Sequence, residues 1–214
     1  MIKERDRTSQ FNRRSALGAG LAAALAPSAS GAALAARSDP AWLAPGISHE
    51  LAIHRAATLS VERYDLSLDV TQRDVATGAV KIAVRQRAGA GDLIVDFRGP
   101  KLEGLRVNGR PIADPRRVNG HLVLPQRFLV SGLNLIEARF STPIAPTDAA
   151  IIRFDDRSDG ATYLYTLLVP SDANLLFPCF DQPDLKARFN WRIRAPASWE
   201  VLANGELKSR SPSN

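Results

Sequence analysis

The chain has 214 residues, of which 45% are hydrophobic and 23% are charged, a balance typical of globular domains and not of disordered chains. It contains a single cysteine, Cys179, which excludes an intramolecular disulfide framework. The formal net charge is +6 and the isoelectric point is near 10.0, values that also occur in nucleic-acid-binding proteins. Residues 1–35, however, hold half of the excess positive charge, and we predict no nucleic-acid partner.

Residues 1–35 have the pattern of a cleaved twin-arginine signal peptide. Arg13 and Arg14 stand directly before an uncharged stretch of mainly Ala, Leu and Gly. Ala33 and Ala35 have the small side chains that signal peptidase accepts, so we expect cleavage after Ala35. The alternative is a transmembrane anchor, but the second half of the stretch contains polar and helix-breaking residues. We therefore expect a periplasmic or secreted product that meets the membrane only during export.

The mature chain is predicted to be all-β. After an N-terminal segment, residues 36–57, in which Ser48 could cap a short helix, apolar and polar side chains alternate with the period of a half-buried strand. The alternating runs are residues 64–70, 80–85, 93–97, 136–140 and 187–194. No amphipathic helix of useful length separates them, which indicates an antiparallel β-sandwich over residues 58–208, followed by a tail, residues 209–214.

Turn and strand signals refine this prediction. Asn108-Gly109 and Asn119-Gly120 predict tight hairpins, because both central residues of such turns need positive φ. The nearly continuous apolar run at residues 163–169 predicts a strand covered on both faces. The cations of the run at residues 187–194 are interpreted as a solvated sheet face rather than a nucleic-acid groove.

A search for catalytic side chains yields no constellation. His49 and His54 are five positions apart, which on a helix places them about 140° apart, so they do not form a zincin motif. His121 follows a hairpin glycine and is predicted to lie on the surface. Cys179 has no histidine near it in sequence and is predicted to be a buried structural thiol. Asp181 is predicted to accept hydrogen bonds from turn amides.

One stretch carries a family resemblance. It comprises Thr162-Tyr163-Leu164-Tyr165-Thr166, then Phe177-Pro178-Cys179-Phe180-Asp181-Gln182-Pro183, then Lys186-Ala187-Arg188-Phe189. This pattern resembles the N-terminal domain of the aminopeptidase N family of zinc metallopeptidases. The family has an acidic residue at the position of Gln182. The resemblance extends from about residue 46 to residue 208.

The resemblance implies a curved N-terminal β-domain that packs against a separate catalytic domain, which carries the HExxH zinc motif. No HExxH occurs in the 214 residues. We therefore expect a fragment or truncated product of an exported zinc aminopeptidase that acts on peptides, with the missing catalytic domain as partner. The zinc ligands would lie outside this chain, which alone would be inactive and without a cofactor. A stand-alone secreted β-sandwich that binds a ligand without catalysis is the alternative.

The resemblance also places Thr166, Leu167 and Val169 at the wall of the substrate pocket. After the Thr, the family has a Gln and, two residues later, a Glu that helps to bind the free amine of the substrate. This sequence has Leu167 and Val169 instead. A carboxylate holds an ammonium group by charge-assisted hydrogen bonds, which Leu and Val cannot make. The sequence therefore provides no catalytic residue in this chain.

Overall fold

The structure, a computed structural model, describes residues 40–211; the predicted signal peptide lies outside them. A 3-10 helix, Pro40–Leu43, and helix α1, His49–Thr58, precede the strands. The strands are β1 Leu59–Asp69, β2 Val75–Gln86, β3 Leu93–Asp96, β4 Lys101–Val107, β5 Arg110–Pro111, β6 Arg116–Val118, β7 His121–Leu124, β8 Gly132–Ala145, β9 Ile151–Asp155, β10 Thr162–Thr166 and β11 Arg188–Arg194. A second 3-10 helix, Gln126–Phe128, and a short helix α2, Ala173–Leu176, lie between strands.

Helix α1 begins at the predicted cap. The backbone N–H of Leu51 donates to Ser48 Oγ at 3.2 Å, which satisfies one of the free donors of the first turn. Leu51 and Arg55, four positions apart, share the buried face of the helix. The short helix predicted from residue 48 is therefore confirmed.

The main sheet has the strand order β10-β9-β8-β2-β1-β11, and β4 and β5 extend it beside β8. Strands β1, β2 and β8 pair antiparallel over most of their length. Strand β11 is parallel to β1, and β9 is parallel to β8. The all-β class is confirmed, while the two parallel pairs make the sheet mixed, which side-chain alternation does not reveal because both pairings have period two.

A smaller antiparallel sheet has the order β3-β7-β6. Asn119 and Gly120 form the turn between β6 and β7, with φ of 51° and 87°. Asn108 and Gly109 form the turn between β4 and β5, with φ of 52° and 76°. Both predicted hairpins are confirmed, and both turns have the positive φ values that Asn and Gly tolerate best.

The small sheet is the middle layer of the protein. One of its faces, with Val95 and Leu124, packs into a large core shared with the main sheet. The other face, with Ile94 and Val123, packs against Leu51 of helix α1. Strands β3 and β7 are therefore buried along their whole length. The main sheet keeps one face open to solvent.

The run at residues 163–169 differs from its prediction. Strand β10 is at the edge of the main sheet, and Tyr163, Tyr165, Leu167 and Val169 are between 48% and 79% exposed. An apolar run predicts a strand that is suited to burial, but the sequence alone does not show which surface would cover it. In the part of the chain that the structure describes, no helix is long and apolar enough to cross a membrane.

Candidate functional site

Helix α1 directs one charged side chain into the interior. Arg55 is 1% exposed, and its terminal nitrogens donate to the two carboxylate oxygens of Asp96 at 2.9 and 2.7 Å. A third hydrogen bond joins Arg55 Nη2 to the backbone oxygen of Ile94 at 2.8 Å. The planar guanidinium matches a carboxylate in this two-pronged geometry. A buried charge without a partner is costly, so removal of either Arg55 or Asp96 would leave the other as an unpaired buried charge.

Asp96, the last residue of β3, joins further groups to this pair. It accepts a hydrogen bond from the backbone N–H of Asp181 at 3.0 Å and lies 2.9 Å from His121 Nδ1. Burial by itself raises the pKa of Asp96, but the charge of Arg55 and hydrogen bonds from His121, Arg55 and the Asp181 amide outweigh it. The pKa of Asp96 is therefore lowered, and the carboxylate is ionised at neutral pH.

Both ring nitrogens of His121 face oxygen acceptors. Nδ1 faces Asp96, while Nε2 lies 3.0 Å from the backbone oxygen of Ala44 and 2.9 Å from that of Gly46. A neutral imidazole has one N–H and could donate on only one side. The geometry therefore indicates the doubly protonated imidazolium, and the hydrogen bond to Asp96 raises the pKa of His121.

The prediction that His121 lies on the surface is wrong, since its side chain is 2% exposed. Strand β7 is the central strand of the small sheet, and its pairing with β3 sets His121 opposite Asp96. A residue that directly follows a hairpin turn can therefore be fully buried, which is why the turn did not reveal the position of His121. A usable signal was Asp96 itself, because a charged residue inside the apolar run at residues 93–97 needs a buried partner.

The segment of residues 177–183 is fixed against this cluster by its backbone. Cys179 exchanges two backbone hydrogen bonds with Asp96, at 2.8 and 3.0 Å. The N–H of Phe180 donates to the hydroxyl of Tyr64 at 3.0 Å. Cys179 is buried, as predicted, and burial raises the pKa of its thiol. A neutral buried thiol packs as a small apolar group and is not a nucleophile.

Asp181 and Gln182 attach the same segment to two helices. The Asp181 carboxylate accepts hydrogen bonds from the backbone and side-chain amides of Asn174 at 3.1 and 2.8 Å, as predicted. Gln182 Nε2 donates to the backbone oxygen of Ala52 at 3.0 Å. Among the described residues, Gln182 Oε1 and Arg55 Nε are buried without a hydrogen-bond partner.

The other residues of the segment contribute packing. Phe177 is 3% exposed and meets the rings of Tyr64 and Trp191 edge-on, at centroid distances of 6.1 and 5.9 Å. Pro178 is buried beside it, and Pro183 is exposed. The contacts of residues 177–183 are therefore those of a structural element that connects the two sheets.

Thr166, Leu167 and Val169 lie at one end of the main sheet. Thr166 ends β10, and the backbone N–H of Leu167 donates to the oxygen of Ala150 at 3.0 Å. Leu167 is 54% exposed and Val169 is 79% exposed. Their role as a pocket wall stays a prediction.

Exposed aromatic side chains continue this surface along β9 and β10. Phe154 lies opposite Tyr163 in the pairing of the two strands, and Tyr165 follows two residues further on. These rings are 53%, 48% and 51% exposed, respectively. Together with Leu167 and Val169 they form what we call the edge patch. Exposed apolar side chains that are grouped in one patch often mark a site of interaction with another protein or domain.

The histidines of the chain do not fit a zinc site. His49 and His54 are five positions apart on α1, and the His54 ring stacks on Trp42 with centroids 4.0 Å apart. Both nitrogens of His121 are already hydrogen-bonded. Within residues 40–211, no group of three or more His, Cys, Asp or Glu side chains could hold a metal ion. The described residues therefore do not fit the zinc that the resemblance implies, and we assign no catalytic step to them.

Comparison with known proteins places this arrangement in a family. The family model described as the Peptidase M1 N-terminal domain matches residues 60–214. Aminopeptidase N of Streptomyces lividans is 31% identical over 167 residues, which are 74% of this chain and 19% of the relative. Probable M1 family aminopeptidase 1 of Encephalitozoon cuniculi is 29% identical over 154 residues, which are 67% of this chain and 17% of the relative.

Solved structures share the fold. An M1 zinc metallopeptidase from Deinococcus radiodurans superimposes with a TM-score of 0.55 and 22% identity over 73% of this chain and 37% of the other. Yeast LTA4 hydrolase superimposes with a TM-score of 0.55 and 22% identity, over 66% of this chain and 24% of the other. The chain belongs to the Peptidase M1 N-terminal domain family. It spans less than a fifth of the length of the two curated relatives described above.

Proposed function

We propose that this chain is the non-catalytic N-terminal domain of an exported zinc aminopeptidase, which removes N-terminal residues from peptides. The observation that carries the proposal is the family match over residues 60–214 together with an exposed edge patch and no metal-binding group among the described residues. In this account the domain shapes and supports an active site whose ligands belong to another part of the enzyme.

Zinc in the complete enzyme would supply a metal-activated water for hydrolysis. This chain would supply apolar side chains at the pocket wall, Leu167 and Val169, that exclude water from one side of the substrate. Neither side chain can hold the substrate's ammonium group. Recognition of the free amine would therefore depend on groups outside this chain.

The edge patch is proposed to be the surface that meets the catalytic domain. Its aromatic part, Phe154, Tyr163 and Tyr165, would be buried against that domain, while Leu167 and Val169 at its end would face the substrate. Burial of such aromatic side chains against a partner is worth roughly 25 cal/mol per Å² of apolar surface. The buried cluster of Arg55, Asp96 and His121 supports this proposal indirectly, because it fixes the segment that follows the patch in sequence.

A substitution in the patch tests this docking role. In the complete enzyme, Phe154→Asp should lower the thermal midpoint and the aminopeptidase activity, since a carboxylate would be buried at the interface. Val130→Asp is the matched control, because Val130 is 54% exposed, close to the 53% of Phe154, and lies outside the patch. Equal thermal midpoints and activities for the two variants would contradict the docking role and would favour a stand-alone binding module.

Export is proposed on the basis of Arg13, Arg14, Ala33 and Ala35. Mass spectrometry of the exported protein should find Ala36 as its first residue. Replacement of both arginines by lysine should leave precursor in the cytoplasm. Recovery of a polypeptide that still begins at Met1 outside the cytoplasm would contradict this route.

A further inference from the structure

The open face of the main sheet contains a concave trough that none of the contacts above uses. Its volume is about 470 Å³, and strands β1, β2, β4, β8 and β11 all contribute to it. Arg192 and Arg194 of β11 lie along one side, and Arg139 of β8 with Lys101 of β4 along the other. We call this surface the basic trough.

The strand register explains why the trough is hollow. One row across the sheet runs Arg192, Ser67, Ala79, Arg139, Glu103, and the next row runs Arg194, Asp69, Thr77, Ser141, Lys101. The residues that β1 and β2 contribute to both rows are short, while long cations flank them on either side. Neighbouring strands are about 4.8 Å apart, so the backbones of β11 and β8 are about 14 Å apart across the trough. The small side chains therefore form a floor between two basic banks.

The four cations outnumber the two carboxylates, Asp69 and Glu103, that line the trough with them. Lys101 pairs with Glu103 at 2.9 Å, and Arg194 pairs with Asp69 at 3.4 Å. Arg139 lies opposite Glu103, and its charge helps to lower the pKa of that carboxyl. Arg192 makes no ion pair or hydrogen bond with any residue in the described part of the chain. Both arginines are exposed and lie on opposite banks. The trough thus presents positive charge from two sides over a floor without bulky groups.

We propose that the basic trough binds an extended acidic segment of a peptide or protein. Successive side chains of an extended chain point to opposite sides, so a run of Glu or Asp presents carboxylates to both banks at once. Carboxylates on the same side repeat every two residues, about 6.8 Å, which is also the spacing of Arg192 and Arg194 along β11. Arginine binds carboxylates in a two-pronged geometry, which suits a lateral contact of this kind.

The lining residues favour a peptide over a nucleic acid. Single-stranded nucleic acids bind to basic grooves that also offer aromatic rings for base stacking. The one aromatic residue lining the trough within residues 40–211 is Phe140, whose side chain is 4% exposed and belongs to the core. The trough can therefore contact the phosphates of a nucleic acid but offers no aromatic ring on which bases could stack.

The test uses the full chain and a fluorescein-labelled peptide with four consecutive glutamates flanked by serines. Fluorescence anisotropy should show saturable binding that weakens with salt, as expected for exposed charges. The double substitution Arg139→Glu and Arg192→Glu should weaken binding by about tenfold or more. Both positions are exposed, so far-UV circular dichroism and the thermal midpoint should be unchanged. If the double variant does not fold, the single substitution Arg192→Gln should weaken binding by a smaller factor.

Two controls make the result specific. Arg116→Glu, in the small sheet and outside the trough, changes the net charge by the same amount per site and should leave the affinity within about twofold. A thymidine oligonucleotide of similar charge should bind more weakly than the peptide. The proposal is overturned by absence of saturable peptide binding, by an equal effect of Arg116→Glu, or by oligonucleotide binding as tight as that of the peptide.

Discussion

Arg55 donates two hydrogen bonds to Asp96, 41 residues further along the chain, in a site where both side chains are almost fully buried. The same carboxylate faces His121 and accepts the backbone N–H of Asp181. One carboxylate therefore connects helix α1, strands β3 and β7 of the small sheet and the segment of residues 177–183. The position of that segment depends on a buried ionic cluster rather than on apolar packing alone.

The first prediction concerns the carboxylate of this cluster. Asp96→Asn should lower the free energy of unfolding by about 3–5 kcal/mol, because it leaves the buried charges of Arg55 and His121 without their counter-ion. Urea unfolding followed by far-UV circular dichroism measures this difference. The control is Asp65→Asn, which breaks an exposed pair with Arg63 and should cost about 0–1 kcal/mol. Similar losses in the two variants would contradict the role given to Asp96.

The second prediction concerns the pH dependence of stability. The pKa of His121 is raised in the folded state, so its stabilising contribution is complete below the ordinary histidine value of about 6.5 and is lost as the pH rises through the folded value. Asp96 has a lowered pKa, and its contribution is lost only as the pH falls into the acidic range. Thermal midpoints of the wild type and of His121→Gln, measured over a pH series, should converge as the pH rises above neutrality.

The comparison with His121→Gln is needed because His54 changes stability with pH in the opposite direction to His121. Burial lowers the pKa of His54, so its contribution is lost as the pH falls. Both proteins contain His54, so its contribution cancels in the difference between the thermal midpoints of the wild type and His121→Gln. A constant difference between wild type and His121→Gln at all pH values would show that His121 does not change its charge as inferred.

Much of the fold could be predicted from local sequence. The hairpin at Asn119 and the cap at Ser48 were recognisable because each depends on residues within a few positions. The strands around Leu66 and Ile82 were recognisable because a half-buried strand imposes period two on its side chains. The burial of Cys179 was predicted because no histidine lies near it in sequence to activate the thiol.

A charged Asp96 inside an apolar run indicates a buried partner, but the identity of its partners could not be predicted because they are far apart in the chain. Arg55, Asp96 and His121 meet only once the small sheet has packed under helix α1. The parallel pairing of β1 with β11 likewise joins residues more than a hundred positions apart, such as Leu66 and Trp191. Long-range pairings of this kind leave no periodic signal in one sequence.

The third prediction tests the pocket wall in the complete enzyme that we propose. Val169→Glu should raise kcat/KM for substrates with a free amine by about 10- to 100-fold, because a hydrogen bond to a charged group contributes about 1.5–3 kcal/mol. Val169 is 79% exposed in this chain, so the carboxylate can be accommodated without a cavity or clash in the domain itself. Substrates with an N-acetylated terminus should not benefit.

The matched substitution is Val169→Gln, which is similar in size and carries no charge. It should leave the ratio of kcat/KM between free-amine and acetylated substrates close to that of the wild type. The assay should use variants whose thermal midpoint is unchanged. A stable Val169→Glu enzyme with the wild-type ratio would show that position 169 does not face the substrate amine.

The most direct test of the proposed function compares two preparations for aminopeptidase activity that a zinc chelator abolishes. One is the native protein captured from its source with an antibody against residues 40–211, and the other is the purified chain itself. The account predicts chelator-sensitive hydrolysis of aminoacyl substrates by the native protein and none by the chain, even with added zinc. Hydrolysis by the chain alone, or no such activity in the native protein, would contradict it.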